Sequence, residues 1–281
     1  MLNLAAVAIG VYAVIVGGLF LLQRQLIYYP SQSMASPAQA GVSEMQALRT
    51  NTEDGLTLTF WYAPAKAGQP TVVYFHGNGG NLSGRGFKVR PYLDAGFGVL
   101  LAGYRGYGGN PGKPSETGLY ADARAHLEFL KNQKISPKQW ILYGESLGSG
   151  VAVQMAYEQA GGDPNQGTQA AAGGPIGALV LESPFSSLGD AAQSHYPFVP
   201  ARFLVRDRYD SVAKIEHVNA PVLVVHGEED GVISANQGKR LFQAAREPKQ
   251  AHWIAGAGHN NLYDYGVSDL VVVFIQKNTL K

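Results

Sequence analysis

The sequence predicts an α/β domain, a mostly parallel sheet with helices on both faces, preceded by one N-terminal transmembrane helix. Three observations predict it. Five short runs, at 71–75, 98–104, 141–143, 178–182 and 221–227, are apolar along their length, the pattern of strands buried on both faces rather than one. Stretches with helical periodicity separate them, so strand and helix alternate along the chain. The runs end in loops carrying glycine or polar side chains, and ligand sites of open parallel sheets lie off the carboxyl ends of the strands.

Composition narrows the function. Once the first two dozen residues are set aside for their different composition, the remainder of the 281-residue chain is long enough for one catalytic-size domain with a sizeable core. Basic and acidic residues number 22 and 21, so no electrostatic argument points to nucleic acid. Cysteine is absent, which excludes disulfides, a thiol nucleophile and thiolate metal sites.

The elements follow in order. Residues 2–22 carry no charge and only Asn3 and Tyr12 as polar side chains, enough apolar helix to cross about 30 Å of hydrocarbon. A cleaved signal peptide is disfavoured, because there is no basic n-region, the apolar run exceeds the usual ~7–15 residues, and no clear A-x-A site follows it. Residues 1–24 are therefore expected to be a membrane anchor and 25–45 a juxtamembrane tether, with Tyr28 and Tyr29 at headgroup level and Arg24 snorkelling. Arg24 on the C-terminal flank leans the orientation towards a cytoplasmic catalytic domain, but one arginine leaves the side open. The catalytic domain is expected over 46–281, beginning with two strands around the Asp54-Gly55 turn. Strand 71–75 delivers the glycine-rich loop 76–81, and a helical pattern runs to Asp94. After strand 98–104 and loop 105–112, Ser115 caps a helix to about Lys131 with Leu119, Ala123, Leu127 and Leu130 on one face. The Gly-, Ala- and Gln-rich stretch 161–177 is expected to be a flexible insertion. Residues 183–216, with Pro184, Pro197 and Pro200, form an irregular lid whose Phe185, Tyr196, Phe198 and Phe203 could line an acyl channel or simply pack it. A helix over about 236–245, a strand near 250–254 and a closing helix from about Tyr263 complete the domain.

The chemistry centres on Gly144-Glu145-Ser146-Leu147-Gly148, which fits G-x-S-x-G between a strand and a helix. In a chain with 35 glycines the pattern alone also arises by chance; its setting adds weight, because a serine at such an elbow is presented rather than packed. A serine hydroxyl is a weak nucleophile at neutral pH and needs an imidazole in reach. Of the seven histidines, His259 lies in a loop of small residues after the last strand and is the expected base. His76 and His226 each precede a glycine at a strand end and are read as bracing loops; His126, His195, His217 and His252 are read as packing or surface residues. Asp230, beside Gly231 in a tight turn, is the expected acid, with Glu182 as second choice or, failing that, a carboxylate tying down the lid. The order Ser146, Asp230, His259 suits an elbow serine on such a sheet. Backbone N–H groups of Leu147 and Asn78 are the expected oxyanion hole. No metal-ligand spacing is visible, loop 76–81 lacks the ending of a phosphate loop, and no cofactor is expected.

Together with Leu26-Ile27-Tyr28-Tyr29-Pro30, His76-Gly77-Asn78-Gly79-Gly80-Asn81, Tyr104-Arg105-Gly106-Tyr107-Gly108, Pro114-Ser115-Glu116 and His226-Gly227-Glu228-Glu229-Asp230, the elbow gives the sequence a resemblance to the α/β-hydrolase superfamily. Within it the chain resembles the membrane-anchored Bem46-like, ABHD13-like serine hydrolases, over roughly residues 24 to 275. The resemblance implies the α/β-hydrolase fold, the triad Ser146, Asp230 and His259, and an acyl-ester or acyl-thioester substrate. The insertion at 161–177 departs from the group. The expected activity is hydrolysis of carboxylic ester or thioester bonds in acyl or lipid-like substrates. A peptidase of the same architecture and a non-catalytic membrane scaffold are the alternatives.

Overall fold

The computed structural model of the chain describes residues 2–163 and 174–279. The first helix, α1 (Leu2–Ile27), is followed by a two-residue strand β1 (Tyr29–Pro30) and by the antiparallel strands β2 (Gln46–Asn51) and β3 (Thr57–Ala63). Then come β4 (Thr71–Phe75), the short β5 (Gly79–Gly80), α2 (Gly86–Asp94), β6 (Gly98–Leu101), α3 (Glu116–Asn132), β7 (Trp140–Glu145) and α4 (Leu147–Gln159). The second half contains β8 (Ala178–Glu182), the short helices α5 (Leu188–His195), α6 (Ala201–Leu204) and α7 (Val212–Ile215), β9 (Val222–Gly227), α8 (Ala235–Ala244), β10 (Lys249–Ile254) and α9 (Val267–Thr279). The main sheet has eight strands in the order β10-β9-β8-β7-β4-β6-β3-β2, parallel from β10 to β6, with β3 antiparallel to both β6 and β2.

Alternation within the apolar strands sorts their side chains onto two faces. Val73, Phe75, Leu142, Leu179, Leu181 and Val224 pack on one, with Val151 and Met155 of α4. Val72, Tyr74, Ile141, Tyr143, Val180 and Leu223 pack on the other, with Val89 and Tyr92 of α2 and Phe274 and Ile275 of α9. Each such aliphatic or phenyl side chain stabilises the fold by about 1.5–3 kcal/mol on burial, an upper figure against a compact unfolded chain. Ser115 caps α3, accepting from the Gly118 N–H at 3.1 Å. The last helix starts later than periodicity suggests, because residues Leu262–Tyr265 form a 3₁₀ turn that Gly266 ends in a left-handed conformation (φ 74°).

The structure departs from expectation at the anchor, the juxtamembrane segment and the lid. The anchor helix extends to Ile27 rather than stopping at residue 24, and the juxtamembrane segment is not loose. Tyr28, Val42 and Met45 are buried, and the Ala40 carbonyl lies so close to Gly86 that an added Cβ would meet it at 2.1 Å. Tyr28 is turned into the protein, where its hydroxyl bonds Asp207 and Tyr209. The segment 183–216 is not irregular, since three short helices form there. Of its aromatic residues only Phe185 and Tyr196 face the cavity described below; Phe198 and Phe203 are 86% and 84% exposed. Of the expected insertion at 161–177, residues 164–173 lie outside the described residues.

Candidate active site

The elbow begins in β7, whose residues are all buried, and turns at Ser146 (φ 50°, ψ −115°) into α4. Such a backbone state is strained for any residue with a Cβ and persists only where the surroundings enforce it. Here the Ser146 N–H donates to the Glu182 carbonyl at 2.9 Å, and the Ser149 N–H donates to the Ser146 carbonyl at 2.9 Å. The flanking glycines are required by space. A Cβ on Gly148 would meet the Phe75 carbonyl at 2.0 Å, and one on Gly144 would meet the Gly148 carbonyl at 2.5 Å.

His259, in the loop after β10, places its Nε2 2.9 Å from Ser146 Oγ, and its Nδ1 2.7 Å from Asp230 Oδ2. A carboxylate only accepts, so Nδ1 carries the proton and Nε2 is left to accept the serine O–H. Asp230, in the turn after β9, is fixed in place: Oδ1 accepts the Val232 and Ile233 N–H groups at 2.8 and 2.7 Å. Burial alone would raise its carboxyl, but hydrogen bonds from His226 and His259 overcome that and hold it well below the usual carboxylate range. The structure thus brings Ser146, His259 and Asp230 into one hydrogen-bonded line.

Leu147 and Asn78 lie with Ser146 at the bottom of one cavity. Leu147 opens α4, where N–H groups have no acceptor in the preceding turn. Asn78 is gripped from both sides. Its carbonyl accepts the Tyr29 N–H at 3.0 Å and the Tyr107 hydroxyl at 2.8 Å, and its side-chain amide donates to the Ile27 carbonyl at 2.8 Å. The parallel pairing of β1 with β5 continues this contact, so the chain leaving the anchor helix is hydrogen-bonded to the loop that carries Asn78.

The Glu182 carboxylate is bonded neither to His259 nor to the lid. It is 1% exposed and accepts Lys88 Nζ at 2.6 Å and the Tyr143 hydroxyl at 2.7 Å. Beside it Glu145, the residue before Ser146, accepts Arg85 Nε at 3.0 Å and lies 3.3 Å from Lys88. Burial would raise the Glu145 carboxyl, but Lys88 and Arg85 hold it well below its usual range. Arg85 also donates to the Gly79 carbonyl at 2.9 Å, so it joins the Asn78 loop to the elbow. Sequence reasoning missed this buried quartet of Arg85, Lys88, Glu145 and Glu182, because nothing in the spacing of the four shows that they share one side of the sheet.

His76 and His226 behave as expected. His76 is buried against Tyr104, bonds the Gly77 carbonyl, and is pushed down to about 3 by burial and by Arg85. His226 Nε2 donates its one N–H to the Ile233 carbonyl at 2.8 Å and shares it with Asp230 Oδ2 at 3.2 Å. His126 is buried on the Gly103 carbonyl, and His195 reaches the Val232 carbonyl at the cavity wall.

The cavity above Ser146 has a volume of about 260 Å³. Phe185, Leu188, Ala191 and Val199 of the 183–216 segment line one side; Val16, Leu19, Phe20, Leu26 and Ile27 of α1 line the other. Helix and lid are joined by polar contacts. Arg24 grips Asp207 with two bonds of 2.9 and 3.0 Å, Gln23 accepts the Arg206 N–H at 2.7 Å, and Arg206 lies over the Phe20 ring. Arg24 therefore does not snorkel freely, and its charge, neutralised by Asp207, is a weak topological signal.

A mostly parallel eight-stranded sheet with a strained strand-to-helix elbow defines the α/β-hydrolase class. The alpha/beta hydrolase fold family profile matches residues 70–203. An uncharacterized protein of Mycobacterium tuberculosis is 41% identical over 85% of this chain and 81% of its own. Protein bem46 of Schizosaccharomyces pombe is 28% identical over 97% and 92%. The lysophosphatidylserine lipase ABHD12 of Danio rerio is 33% identical over 67% of this chain and 51% of its own. Among solved structures, an esterase of Pyrococcus furiosus superposes with a TM-score of 0.65 at 17% identity, covering 90% of this chain and 98% of that one. The chain belongs to the α/β-hydrolase family, in its Bem46-like group. It is a hydrolase-fold protein with a lipase among the proteins it resembles in sequence and an N-terminal apolar helix long enough to cross a membrane.

Proposed function

We propose that this protein is a membrane-anchored serine hydrolase that cleaves carboxylic ester or thioester bonds of acyl, lipid-like substrates through an acyl-enzyme. The observation that carries the reading is the line of 2.9 and 2.7 Å contacts from Ser146 Oγ through His259 to Asp230. Ser146 Oγ attacks the acyl carbon as His259 Nε2 takes its proton; Asp230 holds the neutral tautomer beforehand and stabilises the imidazolium afterwards. The developing oxyanion is held by the Leu147 and Asn78 N–H groups, each worth about 3 kcal/mol in the transition state. His259 then protonates the departing alkoxide or thiolate, and later deprotonates the water that releases the acid. The lipase among the relatives supports the acyl-lipid class. Two features support a retained anchor over a removed signal: α1 lines the cavity that holds Ser146, and its last turn pairs with Asp207.

The test is labelling of the full chain by an ethyl fluorophosphonate, followed by p-nitrophenyl esters and acyl-thioesters of graded length read against peptide substrates. Labelling should map to Ser146 and vanish in Ser146→Ala. Labelling at another residue, or release of amines in preference to alcohols and thiols, would reject the assignment.

A further inference from the structure

The cavity above Ser146 is not enclosed by the catalytic domain alone. One of its long walls is the anchor helix: Val16, Leu19, Phe20, Leu26 and Ile27 face it from a 24-residue, mostly apolar segment, Leu4–Ile27, whose other large side chains such as Leu4, Val7, Ile9, Val14 and Leu21 are exposed. The opposite wall is the 183–216 segment, and the two are held together by the Arg24–Asp207 pair, the Gln23 contacts and the hydroxyl of Tyr28. Helix and lid therefore meet in a fixed relation, unlike a helix that is only a leash. The outer edge of the lid is apolar on the same side. Phe198 and Phe203 are almost fully exposed, and the Tyr12 hydroxyl of α1 donates to the Phe198 carbonyl at 2.8 Å. A bilayer around α1 would thus also meet Phe198, and aromatic rings favour the membrane interface. The seam between helix and lid, with Ser146 at its inner end, would then face the acyl region of one leaflet.

We infer that α1 is half of the acyl-binding site, and that the substrate is a single-chain acyl amphiphile that moves from the leaflet into the seam between α1 and the lid. This rests on the proposed serine hydrolase reading. The chain lies along Leu19 and Phe20, and the ester or thioester carbonyl reaches Ser146. At about 260 Å³ the cavity has no room for two acyl chains side by side, which favours a monoacyl molecule.

The inference is tested on the full-length protein in nanodiscs. Leu19→Trp fills the seam from the anchor side; Ile9→Trp makes the same kind of change on a residue of α1 that is 69% exposed and outside the cavity. In the wild type, kcat/KM for p-nitrophenyl esters should rise about fourfold per methylene from acetate until the seam is full. The ratio of decanoate to acetate kcat/KM should fall at least tenfold in Leu19→Trp and hold within twofold in Ile9→Trp. A circular-dichroism spectrum and a thermal unfolding midpoint matching the wild type verify that both variants fold. A chain-length profile identical in wild type and Leu19→Trp would overturn the role of the helix, as would equal turnover of monoacyl and diacyl phospholipids in the same nanodiscs for the monoacyl class. A wild type with no Ser146-dependent hydrolysis of even the acetate ester would instead reject the serine hydrolase reading beneath it.

Discussion

Asp230 and Glu182 are two buried carboxylates at the ends of neighbouring strands, and their surroundings give them opposite tasks. Asp230 accepts from His259 at 2.7 Å, whereas Glu182 accepts from Lys88 and the Tyr143 hydroxyl. Asp230→Asn should therefore lower kcat by about 10³–10⁴-fold by inverting the imidazole tautomer, with little change in thermal unfolding. Glu182→Gln should leave kcat within a few fold and lower stability by about 3 kcal/mol, since it strands a buried lysine. Turnover of p-nitrophenyl butyrate with an unfolding curve for each variant separates the two; a Glu182→Gln enzyme that is stable but inactive would exchange the assignments. Ser146, Asp230 and His259 were legible because each follows a recognisable strand and the chemistry restricts the residue types. The shared hydrogen bond from His226 to Asp230 was not, because it depends on how a four-residue turn folds back on its own strand.

For the elements, the strands and most helices could be read from apolar runs and periodicity, since burial on both faces leaves a local mark. What α1 touches could not. Its length is written in its own residues, but Arg24 and Asp207 are 183 positions apart, and only the folded lid brings them together. Arg24 is half exposed and Asp207 nearly buried, so removing the arginine acts mainly by leaving the carboxylate under-satisfied. Arg24→Ala should loosen the lid. In detergent, chymotrypsin should cut at the exposed Phe198 and Phe203 several-fold faster than in the wild type, with Arg24→Lys in between because a single ammonium cannot make the paired contact. Equal digestion of all three would mean that the lid is held by its own packing. The three short lid helices were also illegible, because helices of four to eight residues have too few turns to show a period.

Across the whole molecule, buried histidines set how stability responds to acid. His76 and His126 are pushed down to about 3 and 4 by burial, so the native state keeps them neutral while an unfolded chain protonates them near 6.5. Below that value the unfolded state binds more protons, and each histidine removes up to about 1.4 kcal/mol per pH unit. Asp122, raised to about 6 by burial, works the other way and favours the native state as pH falls through that range. Two histidines against one aspartate leave a net loss of about 1 kcal/mol per unit between about pH 6 and 5, and nearer pH 4 the depressed carboxylates of Glu145 and Asp230 add to it. Denaturant midpoints should fall over this range, and His126→Gln should flatten the slope; a midpoint independent of pH would contradict neutral burial of the two rings.

The quartet beneath the elbow also bears on how this sequence can change over generations. Arg85, Lys88, Glu145 and Glu182 balance in charge out of water, two against two, so altering any one leaves a neighbour unpaired at a cost of about 3–5 kcal/mol. A typical domain has about 5–15 kcal/mol in reserve, so one such loss consumes a large part of it. Drift through single substitutions is therefore disfavoured at these four positions, and an exchange by pairs is the easier route. The residue before Ser146, which the elbow pattern itself leaves free to vary, is bound to an arginine 60 positions earlier.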